Sequence, residues 1–198
     1  MQYDRKITIS AGSNRRAMTW KPQTMLISEL WARLQTPARG TETLAEYLNM
    51  KKAQQDDLKD VGGFMAGTLS GPRRKANNVT GRDVITLDLD NIPSGGTEDV
   101  LRRVEALGCG YCIYSTRKHS PAAPRLRVLL PVDRTMTADE YEPAARKMAE
   151  YIGLELMDPT TASMSTAGRT SPSSPSTACW PSMPTGRTAP PGPKCRAL

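Results

Sequence analysis

The sequence predicts an α+β protein, an antiparallel sheet with helices on one face. Two observations carry that reading. Apolar residues alternate with polar ones at Asp83–Asp90, Tyr111–Thr116 and Arg125–Pro131, the period of half-buried strands. Helical patterns with recognisable start signals follow the first and the third of these, so the order is β-α-β-β-α.

Each element has a local cause. Lys6–Ser10 (KITIS) alternates and reads as a short strand. Leu26, Ile27, Leu30, Trp31 and Leu34 fall at helical spacing, and Pro37 and Gly40 end that segment. Thr43 with Glu46 forms a capping box that opens a helix through about Ala53, with Leu44, Tyr47 and Leu48 on one side. The stretch GGFMAGTLSGPRRKANNVTGR reads as a glycine-rich basic connector. In DVITLDLD, Ile85, Leu87 and Leu89 share one face while Thr86, Asp88 and Asp90 share the other. Thr97 caps a helix with Glu98 and Asp99 in its first turn, a stripe of Val100, Leu101, Val104 and Leu107, and a stop at Gly108. Thr137 with Glu140 opens the last helix, which runs to Gly153 and contains Pro143, expected to kink or delay it. This is the split β-α-β order of ferredoxin-like and RRM-like cores without the final strand, which is due just after Asp158. Residues 1–80 are expected to form a helical and connector portion, residues 81–160 the core, and residues 161–198 a separate tail.

Composition narrows the class. No apolar run approaches the ~20 residues of a spanning helix, and the polar start MQYDRK is no signal peptide. A membrane protein is excluded on these grounds, and a cytoplasmic one is expected. Four cysteines, at 109, 112, 179 and 195, do not suggest a disulfide framework. The formal charge of +7 is uneven: from Thr161 onward there is no Asp or Glu, leaving 23 basic against 20 acidic residues in the body. The tail is rich in Ser, Thr, Pro, Ala and Gly without apolar periodicity, which predicts disorder. It reads either as a nucleic-acid-binding tail or as out-of-frame translation.

The chemistry concentrates in two stretches. Asp88 and Asp90, two residues apart on a strand, place their Cα atoms roughly 7 Å from each other. They need solvent or cations, and Mg²⁺ or Mn²⁺ suits carboxylate oxygens where phosphoryl transfer is the task. In YSTRKHSPAAPRLRVLLP, His119 is the single histidine of the chain and sits in a polar loop. Leu126, Val128 and Leu130 form a core face in the next strand, while Arg125 and Arg127 point the other way. If that face also carries the acids, two Asp, one His and two Arg meet, with Ser115, Thr116 and Lys118 close by. The alternative is solvated acids, or arginines simply paired to them.

These residues resemble a family. LDLD, then S-T-x-x-H-S, then PRLRVLLP, with an N-terminal part containing WKPQT, ETLAEYL and KDVGGFMAGTL, is similar to the archaeo-eukaryotic primase superfamily. The similarity is closest to primase-polymerase domains of phage and mobile-element replication proteins, often joined to a helicase domain. It covers roughly residues 1–160. The resemblance implies a nucleotidyltransferase with a metal-binding acidic pair at Asp88 and Asp90. A third acid is best matched by Asp158, with Asp133 and Asp139 weaker. It further implies a phosphate-contacting His119 preceded by Ser115, with Arg125 and Arg127 on the triphosphate. Mg²⁺ or Mn²⁺, nucleoside triphosphates and a single-stranded or primed DNA template are the implied ligands, in the bacterial host of a phage or prophage. The chain departs from the family after Asp158, where the tail replaces the expected strand.

Other features rank below these. Arg73, Arg74 and Lys75, in a Gly/Pro loop before the acidic strand, are candidates for holding template or triphosphate. Cys109 and Cys112 form a C-x-x-C without a second pair in the body, and no G-K-[ST] follows the glycines of a P-loop. Two rival functions stand beside nucleotidyl transfer: a non-catalytic replication-initiator DNA-binding module, and a D-x-D phosphatase, which requires a parallel doubly wound sheet.

Overall fold

In the computed structural model, the structure describes residues 4–14, 16–37 and 40–158, together with the backbone of Lys194–Ala197. The expected tail lies outside the described residues apart from those four.

Six antiparallel strands form the body of one sheet: β1 (Lys6–Gly12), β2 (Lys21–Leu26), β3 (Gly63–Leu69), β4 (Val79–Leu89), β5 (Tyr111–Ser115) and β6 (Leu126–Met136). Their order across the sheet is β2-β1-β3-β4-β6-β5, and β7 (Lys194–Ala197) adds a parallel edge beside β5. The helices are α1 (Ile27–Leu34), α2 (Leu44–Asn49), α3 (Lys52–Lys59), α4 (Thr97–Glu105) and α5 (Ala138–Ile152).

The expected β-α-β-β-α elements are present. β4 and β5 flank β6, and each runs antiparallel to it. On one face, Ile85, Leu87 and Leu89 of β4 and Leu126, Val128 and Leu130 of β6 meet Val100, Leu101 and Val104 of α4 and Ala145, Ala149 and Ile152 of α5. Burying one Leu or Ile side chain contributes roughly 1.5–3 kcal/mol, so this cluster, more than the helices' own propensity, holds the two layers together. α5 begins directly after its Thr137–Glu140 capping box, so Pro143 does not delay it. Gly96 rather than Thr97 occupies the N-cap position of α4.

The N-terminal portion corrects the expectation in three ways. It is not mainly helical, because β1, β2 and β3 extend the same sheet. Helices do not lie on one face only: Ile27, Leu30 and Trp31 of α1 pack on the opposite face against Ile7, Ile9, Ala66, Val84, Cys112 and Leu129. The single helix expected from the Thr43 capping box is two, because the chain turns extended at Met50 before α3 starts.

β3 is the piece the connector reading missed. Its first half pairs with β1 (Ile9 opposite Ala66, Gly12 opposite Gly63), and its second half pairs with β4 (Gly67 opposite Arg82, Thr68 opposite Gly81). The changeover falls at Gly67, where a Cβ would stand 2.0 Å from the carbonyl oxygen of Gly81. Only glycine permits so close an approach of two backbones. Over Val79–Arg82 the edge of β4 away from β6 is therefore covered by β3.

Asp83 fastens the place where β1 and β4 diverge. Its carboxylate is 3% exposed and accepts hydrogen bonds from Arg5 Nη2 (2.8 Å), the Thr8 N–H (2.8 Å) and Thr135 Oγ1 (2.6 Å). Arg5 also donates through Nε to the Val132 carbonyl at 2.7 Å. Three strands are thus tied through one side chain.

Candidate functional site

Register places the two chemical stretches together. Asp88 lies opposite Arg127 on β6, and Arg127 lies opposite Tyr114 on β5. Side chains at directly opposed positions share a face, so Asp88, Arg127 and Tyr114 form a row across three strands. Arg127 donates to both oxygens of Asp88, Nε to Oδ1 at 2.5 Å and Nη2 to Oδ2 at 3.0 Å. Two residues further along each strand, Arg125 Nη1 donates to Asp90 Oδ2 at 2.8 Å. The four side chains are each about one-third exposed, between 33% and 38%. This is an open face rather than a core.

The electrostatics follow from the geometry. Burial alone would lower the Arg127 pKa, but its bonds to Asp88 and its contact with Tyr114 raise it above the ordinary arginine value. Burial pushes the Tyr114 hydroxyl up, against the pull of Arg127, so it stays protonated. Tyr114 was not among the residues singled out from sequence. The signal was available, since it alternates with Ile113 and so belongs to the acid face.

His119 is fixed by its loop. Its Nδ1 lies 3.1 Å from the Arg125 backbone nitrogen and 3.2 Å from the Arg125 carbonyl oxygen, so the Arg125 backbone holds the ring and Nε2 is left pointing away from that contact. The loop is closed by the His119 N–H to the Thr116 carbonyl and the Thr116 N–H to the Arg125 carbonyl. His119 thus stands beside Arg125 and, through it, beside Asp90. Arg117 of the same loop pairs with Glu42 and lies over the Tyr47 ring at 4.8 Å, which ties the loop to α2. Nothing in the sequence pattern signals that long-range contact.

The remaining candidates separate. Asp158 donates its N–H to the Asp88 carbonyl at 3.0 Å, and the Asn91 N–H and Nδ2 bond the carbonyls of Leu156 and Met157. The backbone at Asp158 is therefore held against the end of β4. Ser115 pairs with Leu126, which puts it on the α4/α5 face and away from the acid row. Asp133 lies within β6 and Asp139 in the first turn of α5. Arg73, Arg74 and Lys75 precede β4 at the opposite end from the acids; the 11 residues of that strand span roughly 33 Å. Cys112 is buried in the face that α1 covers, whereas Cys109 is exposed.

Asp88 and Asp90 offer the hard oxygen donors that Mg²⁺ or Mn²⁺ takes. A carboxylate has about four acceptor sites, so each keeps capacity beyond its arginine. Yet two acids with two arginines carry no net charge, and among the described residues no three His, Cys, Asp or Glu side chains converge as a metal group would. The donor set fits a divalent cation once an anion draws the arginines off.

An antiparallel α+β module with an open acid–arginine row and an ordered histidine loop fits the nucleotide-handling class its sequence resembles. The chain belongs to the family of VapE N-terminal domains, whose model matches residues 1–170. It is thus the N-terminal domain of a VapE-like phage or prophage replication protein, in accord with a primase-polymerase-type replication protein. No curated protein and no solved structure matches the chain. Among the described residues no helix is long and apolar enough to cross a membrane.

Proposed function

We propose that this replication module binds a nucleoside triphosphate with Mg²⁺ or Mn²⁺ on the Asp88–Arg127 and Asp90–Arg125 row and carries out nucleotidyl transfer on a DNA template. The observation that carries the reading is the pair of adjacent, half-open Asp–Arg contacts beside the His119 loop. The row works by partner exchange. Arg125 and Arg127 leave the carboxylates for phosphate oxygens, which suit their planar fork. Asp88 and Asp90, with Asp158 from the segment fixed beside them, turn their freed oxygens to cations. No charge is left unpaired at any stage, which avoids the several-kilocalorie cost of a stranded ion. His119 donates through Nε2 to the triphosphate. When bound, the divalent cations supply activation of the primer 3′-hydroxyl and stabilisation of the leaving pyrophosphate.

Calorimetric titration of a nucleoside triphosphate with Mn²⁺ tests this reading. Binding by the parent that Asp88→Asn and His119→Ala both abolish is the expected result, followed by primer extension that Asp88→Asn lacks. Absence of binding by the folded parent overturns it.

A second reading, a non-catalytic replication-initiator module that binds DNA, draws on the zero net charge of the row. It predicts oligonucleotide binding indifferent to Mn²⁺ and nucleotide. The phosphatase reading required a parallel doubly wound sheet, whereas β1 to β6 pair antiparallel throughout. The working setting we infer is the host cytoplasm, with single-stranded or primed DNA as template and a helicase domain or subunit as partner.

A further inference from the structure

At the far end of β4 lies a second charged feature that the nucleotide site does not use. Arg16, Arg73, Arg74 and Lys75, with Met18 and Trp20, line an open cleft of about 280 Å³ between the β1–β2 connection and the loop leading into β4. All four cations are exposed, and among the described residues none has a carboxylate partner.

The loop is ordered before any ligand arrives. The Trp20 N–H bonds the Pro72 carbonyl at 2.6 Å, and the Ser70 N–H bonds the Asn78 carbonyl at 2.7 Å. Asn78 Nδ2 donates to the Arg73 carbonyl at 2.9 Å. The Arg74 guanidinium lies over the Trp20 ring, its Cζ 5.4 Å from the centroid, and Arg74 is otherwise exposed to solvent. Arg82, the fourth residue of β4 and itself 4.8 Å over the Tyr141 ring, is near enough to Arg74 for the two charges to repel. Unpaired like charges on prearranged loops cost the free protein stability, and a bound polyanion relieves that cost.

We propose that this cleft holds the phosphodiester backbone of a single nucleic-acid strand, with a base stacking on the outer face of Arg74. Phosphates spaced along a strand match cations spread over two loops, and a guanidinium plane backed by an aromatic ring is a sequence-tolerant platform for a base. The choice of nucleic acid among polyanions rests on the replication reading above. Even Arg82, beside the cleft, is six residues from Asp88 along β4, roughly 20 Å, so the cleft is too distant to grip the same triphosphate. It is a separate handhold on the strand.

The test is fluorescence anisotropy of a labelled single-stranded oligonucleotide against the full chain over a range of salt. Arg73→Ala/Lys75→Ala removes two cations without disturbing the Arg74–Trp20 stack. The log–log salt slope is expected to fall by about 1.4, or roughly 25-fold in affinity at 0.1 M salt with convergence near 1 M. Arg74→Lys keeps the charge and loses the plane, so it is expected to keep the slope while binding weakens. An unchanged slope in the double variant, with its melting temperature retained, overturns the proposal. Equal competition by phosphatidylserine vesicles also overturns it, in favour of a membrane surface. Asp88→Asn is expected to bind oligonucleotide normally, and loss there overturns the independence of the cleft. A parent that binds oligonucleotide but no Mn²⁺–nucleotide supports the cleft and defeats the nucleotidyl-transfer reading alone.

Discussion

The middle of β4 and its C-terminal end carry the same residue in opposite circumstances. Asp83 is buried and meets three fixed donors, one of them a backbone N–H and one a hydroxyl. Asp88 and Asp90 are a third exposed and meet only arginine side chains, which can swing away. An acid satisfied by the backbone cannot change partners without breaking the sheet, whereas one satisfied by a mobile cation can. Chemical competence on this strand is therefore a matter of who the partner is, more than of the carboxylate itself.

The sharpest way to break that contrast is substitution. Asp83→Ala strands the half-buried Arg5 and leaves the Thr8 N–H and Thr135 hydroxyl without their acceptor, and an expected loss of about 3–5 kcal/mol should appear in urea unfolding. A loss as small as that of a surface pair would remove the distinction. Next comes Gly67→Ala, whose Cβ meets the Gly81 oxygen at 2.0 Å. Forcing β3 from β4 should cost about 1–3 kcal/mol, seen as a lower melting temperature.

The pH dependence sharpens the comparison further. Burial raises the Asp83 pKa, but the bonds from Thr135, Thr8 and Arg5 outweigh it and hold the value below the ordinary one. A depressed folded pKa contributes stability that is present above the unfolded value, near 3.9, and lost as pH falls through the folded value. Stability should thus decline from about pH 4 downward, and the acid limb should flatten in Asp83→Asn. An unaltered limb in that variant would assign the decline elsewhere. The smallest effect is expected at the C-terminal end: Arg127→Gln should cost under ~1 kcal/mol in stability, as half-exposed pairs do, while abolishing Mn²⁺–nucleotide binding in calorimetry.

Parity made the site legible. D-x-D and R-x-R on neighbouring strands are each read by period 2, and their meeting needed only the right pairing of strands. The same rule tells against Ser115, because Ile113 faces the core and Ser115 follows it by two. Local start signals likewise gave the beginnings of α2 and α5, at Thr43 and Thr137. What stayed hidden depends on distance along the chain. β3 lacks clean alternation, and its Gly67 serves a close approach to the backbone of Gly81. The Asp83 partners Arg5 and Thr135 lie 78 and 52 residues away, beyond any window of periodicity.

The crossing of β3 at Gly67 decides how the molecule can be divided. A strand that is half in one set of pairings and half in another cannot be assigned to either side of a cut. A fragment starting at residue 81 would take the β3 partners from the start of β4, leaving backbone there open to another chain, and would strip Asp83 of Arg5 and Thr8 at the same stroke. The segment before residue 80 is thus part of the same sheet as the acid–arginine row, and a cut at that point divides one sheet rather than two units.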